Sequence, residues 1–360
     1  MIYYIMPVII YFLIFLTSKP LESQKLISIF MMVFMIILGG LRWETGTDWE
    51  PYYNDYLNPG ARVDFEVGYI WLTSILSIIG LNYTNFLLVS YTITIILVHL
   101  GFSAYLKWNP LPLLFFYSYY YIGSFLGAQR RIFAIALCVL SISFIKKSKP
   151  IIFYGIVIFA SLFHSSVLIF LPAYLIYHLS QKKYYALLAS IGIMAICITI
   201  FGFEILLARV LNIFDIGIVA HKLTTYATEA SDYELTGASI IGIGALKRIL
   251  LLSLFVYCLR FNKHEPNYSR LLRLYTISLF LYFGFSYTFS MFSVLSIYYG
   301  FVEVLLLTYC LQGTIKKHAL MALAVAIFIV MQISSIIYPY RELYFPYISI
   351  FENTTRAKLY

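Results

Sequence analysis

Leu26-Ile27-Ser28-Ile29-Phe30-Met31-Met32-Val33-Phe34-Met35-Ile36-Ile37-Leu38 is a stretch with no charged residue and one hydroxyl. Blocks of the same character recur at Asn85–Leu97 and Ala319–Met331. Extended by their apolar flanks, such blocks cross a ~30 Å hydrocarbon core as helices, whereas a transmembrane β-barrel shows short alternating segments. The rest of the 360-residue chain agrees, with 62% hydrophobic and only 11% charged residues. A soluble globular domain carries more than twice that share of charge. An ordinary cytosolic enzyme, a disordered regulator and a secreted disulfide scaffold are thereby excluded. The expected fold is all-α: a polytopic transmembrane helix bundle of about 10–12 helices, forming a single integral membrane domain over residues 1–360. Ile2–Leu16 has no basic residue before its apolar run and reads as a retained first helix, not a signal peptide.

The net charge of +9 does not indicate nucleic acid, because Lys and Arg sit in small groups between apolar blocks, where topology signals lie. One topology gathers Lys19, Lys25, Lys107, Lys146, Lys147, Lys149, Lys182, Lys183, Arg260, Lys263, Arg270, Arg273, Lys316 and Lys317 on the inner face, with Glu22 and Glu265 as the acids there. That face carries +12 and the remainder −3, an asymmetry that sets the orientation. The scheme requires two irregularities. The segment 67–80 enters and leaves on one side, as a re-entrant or interfacial helix, and 151–178 breaks into two short helices near His164. The outer face then holds loops 42–66 and 203–237, the Gln129–Arg131 turn, the His164 turn and the tail 338–360. The four cysteines, Cys138, Cys197, Cys258 and Cys310, fall inside apolar segments and read as core residues.

Several outer-face constellations carry candidate chemistry. Arg42 precedes Trp43-Glu44-Thr45-Gly46-Thr47-Asp48-Trp49 and the pair Tyr52-Tyr53. A lone arginine there is an interfacial anchor, but this loop adds the carboxylates and aromatic faces that bind sugars. Gln129-Arg130-Arg131 has no acidic neighbour in sequence, and a guanidinium fork matches a phosphate oxygen pair. The pair reads either as a phosphate clamp or as interfacial anchors. His164, in Phe163-His164-Ser165-Ser166, reads as a structural histidine, a phosphate ligand or a proton-transfer group. Lys247-Arg248 reads as the start of a membrane helix, serving as an anchor or a second phosphate clamp. Tyr226, with His221 and Lys222, forms a further basic-aromatic group. Walker, Asp-x-Asp and Gly-x-Ser-x-Gly motifs are absent, and no spacing suits a metal site.

At these residues the sequence resembles the EpsG-like family of bacterial membrane proteins, a branch of the Wzy-type polysaccharide polymerases. The resemblance rests on Arg42 with Gly46-Thr47-Asp48, Tyr52-Tyr53 and Phe65-Glu66-Val67-Gly68-Tyr69; on Arg130-Arg131-Ile132-Phe133-Ala134; and on Ala160-Ser161-Leu162-Phe163-His164-Ser165-Ser166. It covers roughly residues 20–180 well and the remainder by hydropathy. Arg131 stands where the family usually has Gln, and Val294 where it often has Arg.

The resemblance implies a GT-C-like membrane glycosyltransferase scaffold in the bacterial inner membrane, working without cofactor or metal. Its substrates would be undecaprenyl-diphosphate-linked oligosaccharide repeat units of O-antigen, capsule or exopolysaccharide. Protein partners would be a chain-length regulator and a flippase. The expected catalytic residues are Asp48, His164 and Arg130. Arg130, Arg131, Lys247 and Arg248 are the expected diphosphate ligands, and Arg42, Glu66, Tyr52, Tyr53 and Tyr226 position the glycan or its loop. A lipid-linked oligosaccharide flippase and a glycan O-acyltransferase are the alternatives, since both also use Arg or His.

Overall fold

Helix is the regular structure throughout the described residues, apart from one isolated antiparallel bridge between Arg42 and Ser349. The computed structural model describes residues 4–5, 8–9, 21–59, 65–201, 234–262, 265–285, 295–311, 333 and 341–352, with 194–201, 234–243 and 284–285 described by backbone only. The block Ala319–Met331, Tyr226 and Val294 lie outside them, as do most of Ile2–Leu16 and of the loop 203–237. The chain divides into two units, Met1–Leu171 with Leu307–Tyr360, and Pro172–Leu306.

In the first unit, α1 (Leu21–Gly40) and α4 (Tyr83–Ser103) are the two described helices long and apolar enough to cross a membrane. At 1.5 Å per residue each spans about 30 Å. On α1, Ile27, Met31, Met35 and Leu38 are buried, while Leu26, Ile29, Phe30, Val33 and Ile37 are exposed. An outward stripe as apolar as the inward one suits lipid better than water. α1 packs on α4, and α4 on α6 (Gln129–Lys146). Between them run α5 (Leu111–Phe116) and a π-helical turn, Tyr117–Phe125, whose closing bond joins Leu126 N–H to Tyr121 C=O. The Tyr121 hydroxyl donates to Met35 C=O, and the Tyr91 hydroxyl to Phe125 C=O at 2.5 Å. These bonds tie the widened turn to α1 and α4.

The expected loop 42–66 is partly helical. Trp49, Tyr52 and Tyr56 recur at helical spacing and are buried on one face of α2 (Trp49–Leu57). The segment after it forms α3 (Val67–Ile78), twelve residues and only ~18 Å long. α3 buries Gly68, Tyr69 and Thr73 and exposes Val67, Trp71, Ile75 and Ile78. The expected break near His164 is present. α7 (Pro150–Ser161) ends before His164, and a 3₁₀ turn, Ser165–Phe170, follows.

The tail closes on the first loop. Trp43 N–H donates to Ile348 C=O (2.9 Å), Gly46 N–H to Leu343 C=O (2.9 Å) and Ile350 N–H to Leu41 C=O (3.0 Å).

The second unit continues through α8 (Ala173–His178), α9 (Gln181–Phe201), α10 (Glu234–Cys258), α11 (Pro266–Phe285), α12 (Ile297–Gly300) and the start of α13 (Glu303–Leu311). α11 is its hub, packing on α8, α9, α10 and α12. Here the structure departs from expectation. Lys247 and Arg248 do not open a helix, because α10 begins at Glu234 and runs unbroken through Gly242 and Gly244. The two cations therefore lie near mid-helix, about 20 Å from its start. Cys138, Cys258 and Cys310 are buried thiols, as core residues should be.

Candidate functional site

Arg42 sets the first loop. Its side chain is fully buried, and Nη1 donates to both Thr45 C=O and Leu126 C=O. Nε and Nη2 find no hydrogen-bond partner among the described residues. Sealed from solvent, Arg42 holds the loop from within. Gly46 makes the turn possible. Its φ is +108°, and a Cβ there would lie 2.0 Å from Leu126 C=O. The next residues then dock on the end of the π-helical turn, with Asp48 N–H donating to Gly127 C=O at 3.3 Å.

Asp48 and Glu66 occupy the N-cap positions of α2 and α3, yet neither side chain makes a capping bond. Cap carboxylates usually satisfy backbone N–H groups, so both remain available for other work. Glu66 spends its carboxylate on Arg130 and Ser165. Arg130 Nη1 donates to Glu66 Oε2 at 2.6 Å. Glu66 Oε1 accepts from Ser165 N–H (3.2 Å) and Ser165 Oγ (3.4 Å). The neighbouring Gly68 N–H donates to Leu162 C=O at 2.8 Å, fixing the start of α3 against the break in the chain at His164. His164 Nδ1 shares a 2.6 Å hydrogen bond with Ser166 Oγ.

Tyr52 is the junction. Arg130 Nε donates to its hydroxyl at 3.4 Å, and Asp48 and Arg131 both lie within electrostatic reach of it. Burial pushes the Tyr52 phenol up, against the lowering effect of Arg130. The Arg130 guanidinium also covers the Phe65 ring, 4.1 Å from its centroid. Arg131 makes no ion pair among the described residues, and its Nε is buried without a hydrogen-bond partner. Both arginines sit in the first turn of α6, where the helix dipole is positive. Behind them Gln129 is fully buried, accepting from Tyr69 Oη (2.8 Å) and donating to Tyr83 Oη (2.6 Å).

The structure thus brings Asp48, Tyr52, Glu66, Arg130 and Arg131 together, with His164 adjacent through Ser165. Tyr53 turns elsewhere. It stacks on Trp49 (4.8 Å) and meets Trp43 and Tyr83 edge-on in an aromatic cluster under the loop. Two participants were missed in sequence. Ser165 showed only as a neighbour of His164. Tyr344 carried no signal, because only the tail's return brings it to Thr47 and Asp48.

Lys247 and Arg248 belong to the second unit. Lys247 Nζ pairs with Glu303 Oε1 at 2.9 Å, so it is not a free phosphate ligand. The Arg248 guanidinium lies 3.5 Å from the Tyr282 ring centroid and donates to Gly244 C=O (3.1 Å) and Ser296 Oγ (3.5 Å).

The EpsG family profile matches residues 25–349. The chain belongs to the EpsG family. That membership, with the two apolar helices of membrane-spanning length, fits a membrane protein of polysaccharide biosynthesis. No curated protein and no solved structure matches the chain.

Proposed function

We propose that this EpsG-family protein is a multi-pass polymerase of the bacterial inner membrane. It would join undecaprenyl-diphosphate-linked oligosaccharide repeat units at the outer leaflet. The observation that carries this reading is the pair Arg130 and Arg131 in the first turn of α6. Two cations at the positive end of a helix are locally unfavourable, each by about 0.3–1 kcal/mol. They make sense as a site awaiting an anion.

In the proposed reaction the sugar hydroxyl of one unit attacks the anomeric carbon of the glycan on another. The new C–O bond forms as the bond to the diphosphate breaks, and the diphosphate leaves with the electron pair. Arg130 and Arg131 stabilise its developing charge. The hydroxyl proton passes to the Asp48 carboxylate, which no cap bond occupies. Glu66 aims the Arg130 fork, and His164, held by Ser166, orients the attacking sugar.

The test is a gel of surface glycan from a deletion strain carrying wild-type or Arg130→Ala genes at matched protein levels. A product stalled at one repeat unit, elongated only by wild type, is expected. Loss of all surface glycan with lipid-linked units trapped inside would make the protein a flippase. Normal chain length with lost acetylation would make it an O-acyltransferase. Normal ladders with Arg130→Ala would remove Arg130 from the chemistry.

A further inference from the structure

The tail forms a strap across the first loop of the site. Residues 341–352 run antiparallel to the chain around Arg42, with the Arg42–Ser349 bridge inside the pairing. Ile348 N–H also donates to Thr45 Oγ1 (3.3 Å), and Tyr347 Oη to Leu38 C=O (2.9 Å). Tyr344 reaches furthest into the site. Its C=O accepts from Tyr4 Oη at 2.8 Å, and its hydroxyl hydrogen-bonds the Thr47 side chain. Both side chains border Gly127, where a Cβ would lie 2.9 Å from Thr47 Oγ1 and 3.5 Å from Tyr344 Oη. Asp48 follows Thr47, and Arg130 opens α6 three residues after Gly127. The strap thus pins the backbone of the Asp48 loop against the chain that leads into α6.

Two features set the strap apart from the bundle. It is thin: Tyr344 and Ile348 are buried, while Arg341, Glu342, Phe345, Pro346, Phe351 and Glu352 are exposed. A segment with few buried side chains, held by hydrogen bonds near the surface, opens before the core does. It also closes over a charge. Arg42 is fully buried and makes no ion pair among the described residues. Its Nη1 meets two carbonyls and its guanidinium lies 5.9 Å from the Tyr91 ring centroid, while Nε and Nη2 have no hydrogen-bond partner among the described residues. Arg42 and the strap grip the same short stretch. Thr45 C=O accepts from Arg42 and Thr45 Oγ1 from Ile348, and Gly46 N–H donates to Leu343 C=O. A buried cation without an anion destabilises the state that buries it.

We propose that residues 341–352 are a gate. The closed strap holds the Asp48 loop in place, and each round of transfer requires the strap to lift from 41–47. Lifting admits water to the unmet donors of Arg42, which offsets part of the main-chain bonding lost. The proposal rests on the polymerase reading, because the loop it controls carries Asp48.

Two experiments test the gate, one on motion and one on function. Ile348 is 4% exposed, so in Ile348→Cys a membrane-impermeant maleimide reacts only when the strap lifts. With the full chain in lipid nanodiscs, this thiol is expected to label under native conditions. Adding Tyr344→Phe, which removes one strap hydrogen bond, should speed labelling about fivefold. The wild-type chain gives the background, since its described cysteines are buried. Labelling at background in both variants would overturn the proposal. For function, Leu41 and Ile350 lie opposite one another beside the Arg42–Ser349 bridge. Residues so paired sit about 5–6 Å apart, within disulfide reach. Leu41→Cys with Ile350→Cys, oxidised by copper phenanthroline, locks the strap. A deletion strain carrying the locked pair should show the defect of the deletion itself, and dithiothreitol should relieve it. Each single substitution should behave as wild type, which separates the lock from misfolding. Wild-type surface glycan from the fully cross-linked pair would overturn the gate. The two readings fail separately. Stalled ladders or trapped lipid-linked units in the deletion strain decide the polymerase reading, and the gate stands or falls on whether the lock reproduces that defect.

Discussion

The Arg130–Glu66 pair permits a double-mutant cycle whose outcome follows from its geometry. The side chains are 18% and 15% exposed, and the contact is 2.6 Å. Breaking one partner of a buried pair costs about 3–5 kcal/mol, because the other charge stays out of water. Partial exposure brings this down to about 2–3 kcal/mol for Glu66→Gln or Arg130→Gln, the Ser165 donors still holding Glu66 in the latter. Replacing both removes both stranded charges, so the double variant should cost about 2–3 kcal/mol again, not the sum. The coupling is then about 2 kcal/mol. For a unit of this size 1 kcal/mol shifts the unfolding midpoint by on the order of 2–4 °C. Each single variant should therefore fall by roughly 5–10 °C, and the double by the same amount. Fluorescence-detected unfolding of the solubilised full chain reads this directly. If the double variant falls by the sum of the singles, to within about 0.5 kcal/mol, the two groups do not depend on each other and the geometry of the site is wrong.

Two further outcomes check the loop. Gly46→Ala should destabilise by more than the ~1–3 kcal/mol of backbone strain, because its Cβ meets a carbonyl 2.0 Å away. Gly80→Ala is the control, with a φ of +85° but open space around it, and should cost only ~1 kcal/mol by the same thermal assay. Tyr344 supplies the pH test. Burial pushes its phenol up to about 12, against about 10 in the unfolded chain. A raised tyrosine favours the fold while neutral, so its contribution is complete below about pH 10 and is lost as pH rises through 12. The loss is roughly 2–3 kcal/mol, and Tyr344→Phe should flatten that part of a midpoint-versus-pH curve.

The helical class was legible because uncharged blocks such as Leu26–Leu38 leave backbone groups no other partner in lipid. The break at His164 was legible because lysines flank both ends of 151–178. The loop 42–66 was less so. Its acids, Gly and Pro masked the 49–52–56 spacing that buries one face of α2. The position of Lys247 and Arg248 was misjudged because two adjacent cations beside an apolar run read as the start of a membrane helix. Glycine weakens a helix by only about 1 kcal/mol each, and α10 runs on through both Gly242 and Gly244. Arg130 had no acid near it in sequence. Its partner Glu66 lies 64 residues earlier, and only the docking of Gly68 on Leu162 brings the two together.

The local misfits are the most informative features of the site. Helices prefer acids at their start and a capping side chain before them. α6 instead starts with Gln129-Arg130-Arg131 and has no side-chain cap. α2 and α3 have Asp48 and Glu66 where caps belong, and neither caps. A fold selected for stability alone would have turned Asp48 and Glu66 onto the nearest backbone N–H groups and kept arginine away from the start of α6. Here three helix starts surrender that local stability and direct their charges toward Tyr52 and Arg130. Conflicts between local preference and global arrangement concentrate where function requires them. Because Glu66 neutralises Arg130 while Arg131 makes no ion pair among the described residues, the charge left over for a ligand belongs to Arg131. If that surplus is what meets the leaving diphosphate, Arg131→Gln, which keeps the Arg130–Glu66 bridge, should cut elongation sharply. Arg130→Ala should stop it. The lengths of the surface glycan ladders in the two strains decide between a shared clamp and one led by Arg130.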